Sequence, residues 1–99
     1  MKTQIAIVLF LVATVVFAQA ENFVEILNAA GQPINGHAVD VNNIRKAADG
    51  FVYFTEKNPM GRYDKAVDCE KRVWKSNGEK VVPGSYGALL ADFVCSRGM

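Results

Sequence analysis

A chain of 99 residues is long enough for one domain and too short for two. Its 11 basic and 10 acidic residues nearly cancel. That balance excludes the basic footprint of a protein that binds nucleic acid or anionic membrane nonspecifically.

The first residues read as a targeting segment. Met1-Lys2 is a short positive start, Ile5 to Ala18 is uncharged and almost wholly apolar, and Ala18-Gln19-Ala20 has the small-x-small form of a cleavage site. The apolar run is shorter than the roughly 20 residues a membrane-spanning helix needs. Residues 1–20 are therefore expected to be a signal peptide cleaved after Ala20, leaving no stable membrane span and a single domain over 21–99. Lys2 is the one charged residue lost with it, so the domain is formally neutral.

Phe23 to Leu27 suits a first strand, and Gly31 and Pro33 mark a turn after it. Asn35-Gly36 is a second turn signal of the hairpin type, which leaves His37 to Val41 as a short strand. Asn42 to Ala48 is either one helical turn or a polar bend with Ile44 pinned to the core. Asp49-Gly50 launches Phe51 to Thr55, the densest β-forming stretch, and Asn58-Pro59-Met60-Gly61 ends it.

From Tyr63 to Trp74 the chain alternates like one strand. Tyr63, Lys65, Val67, Cys69, Lys71 and Val73 share one face; Asp64, Ala66, Asp68, Glu70, Arg72 and Trp74 share the other. Lys71 on the apolar face would have to snorkel. Ser76-Asn77-Gly78 reads as a turn and Val81-Val82 as a short last strand. A helix then begins at Ser85, its predicted N-cap, with Tyr86, Leu89, Leu90 and Phe93 as its apolar stripe. Cys95 lies off the centre of that stripe and reaches a strand only if the helix frays or its apolar arc is wide; Ala88, Ala91 and Val94 do widen it. The predicted fold is α+β: a small antiparallel sheet of four to five strands, packed by one C-terminal helix.

Cys69 and Cys95 are the only cysteines. In an exported chain a structural disulfide is the leading reading, joining a strand to the helix. A metal site, which would want more ligands than the single His37 supplies, and a redox pair, which favours Cys-x-x-Cys, are the alternatives. A disulfide closing this loop would stabilise by about 3–4 kcal/mol on the chain-entropy model.

Little in the sequence points to catalysis. His37 beside Asp40 could form a dyad, but a half-exposed strand histidine is the simpler reading. Gly84-Ser85-Tyr86-Gly87 lacks the lysine of a phosphate-binding loop. Asp64, Asp68 and Glu70 could work as acid and base or hold a hard cation, and read more simply as a solvated strand face. The expectation is a non-enzymatic domain with no catalytic residue, no cofactor and no metal. Lys71, Arg72, Trp74 and Lys75 form the candidate contact surface, because Trp and Arg favour interfaces. An unpaired sheet edge offers a route to a homodimer.

The order of several short motifs resembles the bacterial surface-adhesin protein E family. The motifs are Phe23-Val24-Glu25-Ile26, Val39-Asp40 with Ile44-Arg45, Asp49-Gly50-Phe51 through Phe54, Lys65 with Asp68-Cys69 and Arg72 to Trp74, and Pro83-Gly84-Ser85 through Val94-Cys95. The chain departs from the family in the short stretch Lys75 to Val82 and in starting its first strand with Phe23 rather than Trp. The resemblance implies a bacterial protein, exported to the periplasm or the cell surface, that contacts a host matrix or envelope protein. The residues leave open a second class: a small secreted or periplasmic inhibitor or effector of a hydrolase.

Overall fold

The computed structural model describes residues Ala20 to Gly98; the expected signal segment as far as Gln19, with Ala18, lies outside the described residues. The sheet is antiparallel. Its strands are β1 (Phe23–Leu27), β2 (Pro33–Asp40), β3 (Arg45–Lys46), β4 (Phe51–Asn58), β5 (Gly61–Asp68) and β6 (Val73–Trp74), followed by helix α1 (Tyr86–Gly98). The spatial order is β1-β2-β4-β5-β6, with β3 also paired to β4. Among the described residues no helix is long and apolar enough to cross a membrane.

Short polar side chains close the turns. Asn28, Asp40, Asp49, Asn58, Asp68 and Asn77 each accept a hydrogen bond from the backbone N–H two residues on, at 2.8–3.2 Å. This is the local bond that makes Asn and Asp good turn formers. It corrects two sequence readings. The hairpin after β1 turns at Asn28, whose backbone N–H donates to the Gln32 carbonyl, so Asn35-Gly36 lies inside β2. There Gly36 takes φ +83°, and a Cβ on it would stand 3.3 Å from Pro59. The stretch from Tyr63 to Trp74 is a hairpin rather than one strand. Asp68 ends β5 by accepting from Glu70 and Lys71, and Arg72 carries φ +58° through the bend. Lys71 therefore sits exposed in a turn and needs no snorkel.

A single 3-10 turn (Val41–Asn43) and then β3 occupy the start of the stretch after β2, with Ile44 packed against the core. Val81-Val82 forms no strand. Val81 is buried, its N–H bonded to the Arg72 carbonyl, whereas Val82 is exposed.

Alternation along β4 aims Val52, Phe54 and Glu56 at the helix, beside Val67 of β5 and Val39 of β2. The helix begins as predicted, with Ser85 Oγ accepting from the Ala88 N–H at 3.2 Å. The centre of its buried stripe is shifted toward the residues expected only to widen it: Ala88, Leu90, Ala91 and Val94 are buried, and Tyr86, Leu89 and Phe93 flank the core. Small residues occupy the centre, which lets the helix axis approach the sheet. At Gly98 an added Cβ would lie 2.7 Å from Val52 Cγ1.

This rotation settles the position of Cys95. At about 100° per residue it lies only about 40° round from Ala91, on the buried side. Cys69 and Cys95 form a disulfide with their Cα atoms 5.9 Å apart, fastening the turn after β5 to the last part of α1.

Two variants report on this packing. Ala91→Leu is expected to cost about 1–3 kcal/mol through overpacking, and Leu89→Ala less, the reverse of the order the predicted stripe implies; urea unfolding of each measures it. Replacing both cysteines by alanine should lower stability by about 3–4 kcal/mol, read as a shift of the urea midpoint relative to the oxidised protein.

Candidate functional site

The side-chain cluster of greatest consequence centres on Glu56, a residue the sequence reading passes over. It stands on the buried face of β4 and is fully covered. Lys65 on neighbouring β5 donates to Oε1 at 2.6 Å, and the Tyr86 hydroxyl at the start of α1 donates to Oε2. His37 packs edge-on to the Tyr86 ring, 4.8 Å between centroids. Its Nδ1 is buried without a hydrogen-bond partner, 3.9 Å from Glu56.

Burial opposes the charge on Glu56, but the hydrogen bonds from Lys65 and Tyr86 and the ammonium charge outweigh it, holding the carboxyl below its ordinary value of 4.5. Burial, together with the bond and charge of Glu56, pushes the Tyr86 phenol well upward. The result is a carboxylate whose oxygens are both occupied inside the fold. A substrate cannot reach it.

The His37–Asp40 dyad does not form. The two residues differ by an odd number along β2 and so face opposite sides of the sheet. Asp40 accepts instead from the Asn22 N–H at 3.0 Å, the Asn42 N–H at 3.2 Å and Asn43 Nδ2 at 2.8 Å. These bonds overcome its burial and lower its pKa from 3.8. Asp64 accepts from Thr55 Oγ1 at 2.8 Å and Asp68 caps its turn, so the acidic trio of the sequence reading is not one cluster. Among the described residues no group of three or more His, Cys, Asp or Glu is arranged to hold a metal.

The candidate contact residues separate. Arg72 pairs with Asp92 of α1 at 2.8 Å, and Lys71 projects from the turn. Trp74 and Lys75 stay together. The indole packs near Gly87, where a Cβ would stand 3.4 Å from it. The Lys75 ammonium lies 4.9 Å from the Phe51 ring and 3.7 Å from Asp49. The aromatic rings on the face away from the helix are capped in the same manner: Phe23 by Lys57 and Arg62, Tyr53 by Arg45.

Trp74 and Lys75 form one wall of a groove of about 790 Å³. The opposite wall is the outer edge of β5 from Tyr63 to Ala66, and Tyr86, Gly87 and Leu90 close one side. β6 pairs only with Val67 and Asp68, and the Lys75 N–H adds one bond to the Ala66 carbonyl at 3.0 Å. By the two-residue period of a strand, Asp64 and Arg62 turn their backbone N–H and C=O outward as Ala66 does. Among the described residues no strand pairs with that stretch of edge. Lys65 was visible in the sequence as a charge on the apolar face. The missed signal was its partner, a glutamate in phase with Val52 and Phe54.

Comparison with known proteins gives no match: no protein-family model, no curated protein and no solved structure is significantly similar to the chain.

Acid should unmake the buried cluster. The folded pKa values of Glu56 and Asp40 are depressed, so their stabilisation is complete above the unfolded values of 4.5 and 3.8 and is lost as pH falls through the folded ones. Unfolding free energy measured in urea is therefore expected to drop below about pH 4.5. Glu56→Gln should cost about 1–3 kcal/mol at pH 7 and flatten that drop. An unchanged pH slope in the variant would remove Glu56 from this role.

Proposed function

We propose that this is a non-enzymatic exported domain, adhesin E-like, that works by protein contact through the groove between β5 and the Trp74–Lys75 wall. One observation carries the reading: an unpaired strand edge lies beside a half-buried tryptophan in a groove large enough to accept an extended segment. Strand addition of this kind draws affinity from main-chain hydrogen bonds and specificity from the neighbouring side chains.

Three further points support it. Glu56, the one carboxylate placed near the histidine, is saturated by internal partners and covered. The disulfide suits an oxidising compartment. The ordered motifs of the protein E resemblance point to an envelope or surface setting and to a host matrix or envelope protein as the partner.

The test is binding of the oxidised domain to panels of immobilised matrix and envelope proteins. Saturable binding to at least one is expected. Lys75→Glu and Ser76→Arg, both exposed on the groove wall, should each weaken it at least about tenfold, as hot-spot truncations do, while Lys71→Glu should not. Binding to none, or binding indifferent to the groove variants, would overturn the reading. Inhibition of a lysozyme or protease in a parallel screen would favour the hydrolase-inhibitor class instead.

A further inference from the structure

The sheet has two outer edges, and they differ. The outer edge of β1 is interrupted, because its register to β2 shifts between Glu25 and Leu27; a bulge of this kind spoils an edge for pairing. β5 is unbroken, in continuous register with β4 from Gly61 to Asp68. A lysine on an edge strand ordinarily keeps other chains away. Here Lys65 is turned inward onto Glu56, so the charge that would blunt this edge is engaged elsewhere.

The charges along the edge then decide what can pair with it. Arg62 and Asp64 are the residues whose backbone groups point outward; both side chains are exposed, Arg62 paired on its own chain with the exposed Glu21 and Asp64 accepting from Thr55. Consider a second copy of β5 laid antiparallel about a two-fold axis. With the axis at Asp64, two aspartates face each other and Arg62 must pair with Ala66, whose carbonyl is already bonded to Lys75. With the axis at Arg62, two arginines face each other. With the axis at Tyr63, each Arg62 faces the Asp64 of the other copy. Like charges directly opposite destabilise a ladder and unlike charges stabilise it. Only the register centred on Tyr63 is favourable.

Resting on the reading that this edge is a contact surface, we infer that its occupant in the free protein is a second copy of this chain, paired β5 to β5 antiparallel with Tyr63 on the two-fold axis, which the strand of a protein partner displaces. Arg62 and Asp64 of one copy then form closely spaced pairs with Asp64 and Arg62 of the other, exchanging main-chain hydrogen bonds within each pair. The contact is isologous and closes at two copies. Gly61 of each copy comes opposite Lys65, at the point where pairing with the β6 segment stops, so the partner strand occupies the free part of the edge and no more. The turn at Met60, 83% exposed and the barest large apolar residue described, comes to the end of the other copy's groove. The groove is thus completed by both chains.

A charge exchange tests the register. The oxidised wild type should show concentration-dependent dimerisation in sedimentation velocity. Arg62→Asp and Asp64→Arg alone each place like charges opposite and should weaken self-association at least about tenfold, a loss on the scale measured for close interfacial charge pairs. An equimolar mixture of these two variants pairs two arginines with two aspartates and should form the heterodimer, which also shows that both are folded. A wild type that stays monomeric, a dimer indifferent to either exchange, or variants that fail to associate when mixed would each overturn the proposal. A monomeric wild type that still binds a protein through Lys75 and Ser76 would sink the dimer and leave the contact function standing. A dimer with this register that binds no partner would do the opposite.

Discussion

The structure depends on a carboxylate that has no water to turn to. Glu56 sits where Val52 and Phe54 establish the buried face of β4, and a charge there is tolerated only because β5 and α1 each supply a donor to it. Replacing such a cluster by well-packed apolar residues is often neutral or stabilising, so its value lies less in energy than in fixing one arrangement. Lys65 can reach Oε1 only if β5 is in its register with β4, and Tyr86 can reach Oε2 only if the helix starts at the right point above the sheet. The cluster checks strand register and helix placement together. It also leaves the β5 edge without its usual guard, which links the interior of the domain to its outer surface.

A second constraint acts at the other end of the helix. The stripe of Gly87, Ala91 and Gly98 lets α1 lie close to the sheet, and the disulfide to Cys69 fastens it there. In a domain this small the buried fraction of the surface is low and covalent reinforcement matters. With Tyr86 held at its first turn and Cys95 near its last, the helix is tied at both ends, and the Trp74 indole is left against Gly87 as a groove wall.

Much of the fold could be read in the residues, because the signals are local. Asp49-Gly50, Asn58-Pro59 and Ser85 stand where their chemistry says they should, and Phe51 to Thr55 is a strand as its composition requires. The failures have physical reasons. Asn35-Gly36 has the composition of a hairpin turn, but Asn28 closes the chain first and the glycine is used to pass Pro59. The alternation from Tyr63 to Trp74 hides a turn because Asp68 is in phase with the strand and also caps its end. The helix stripe was placed on the largest side chains, whereas a close helix–sheet contact selects the smallest. The groove was half legible: Trp74 and Lys75 stood out, but the unpaired edge opposite them follows from β6 being only two residues long, which no residue of β5 reveals.

The six turns closed by Asn or Asp side chains carry a consequence for how the chain reaches this state. Each joins segments a few residues apart, so little entropy is lost in closing the β1–β2, β3–β4, β4–β5 and β5–β6 pairs, while β2 meets β4 across a longer span, Val39 against Glu56. The separation bridged by the disulfide, 26 residues, is of another order, and the Glu56–Tyr86 bond spans 30. Contacts local in sequence form quickly and distant ones slowly. The hairpins can therefore form early, while the helix, tied to Cys69 and Glu56 far back along the chain, is by topology the last element to dock.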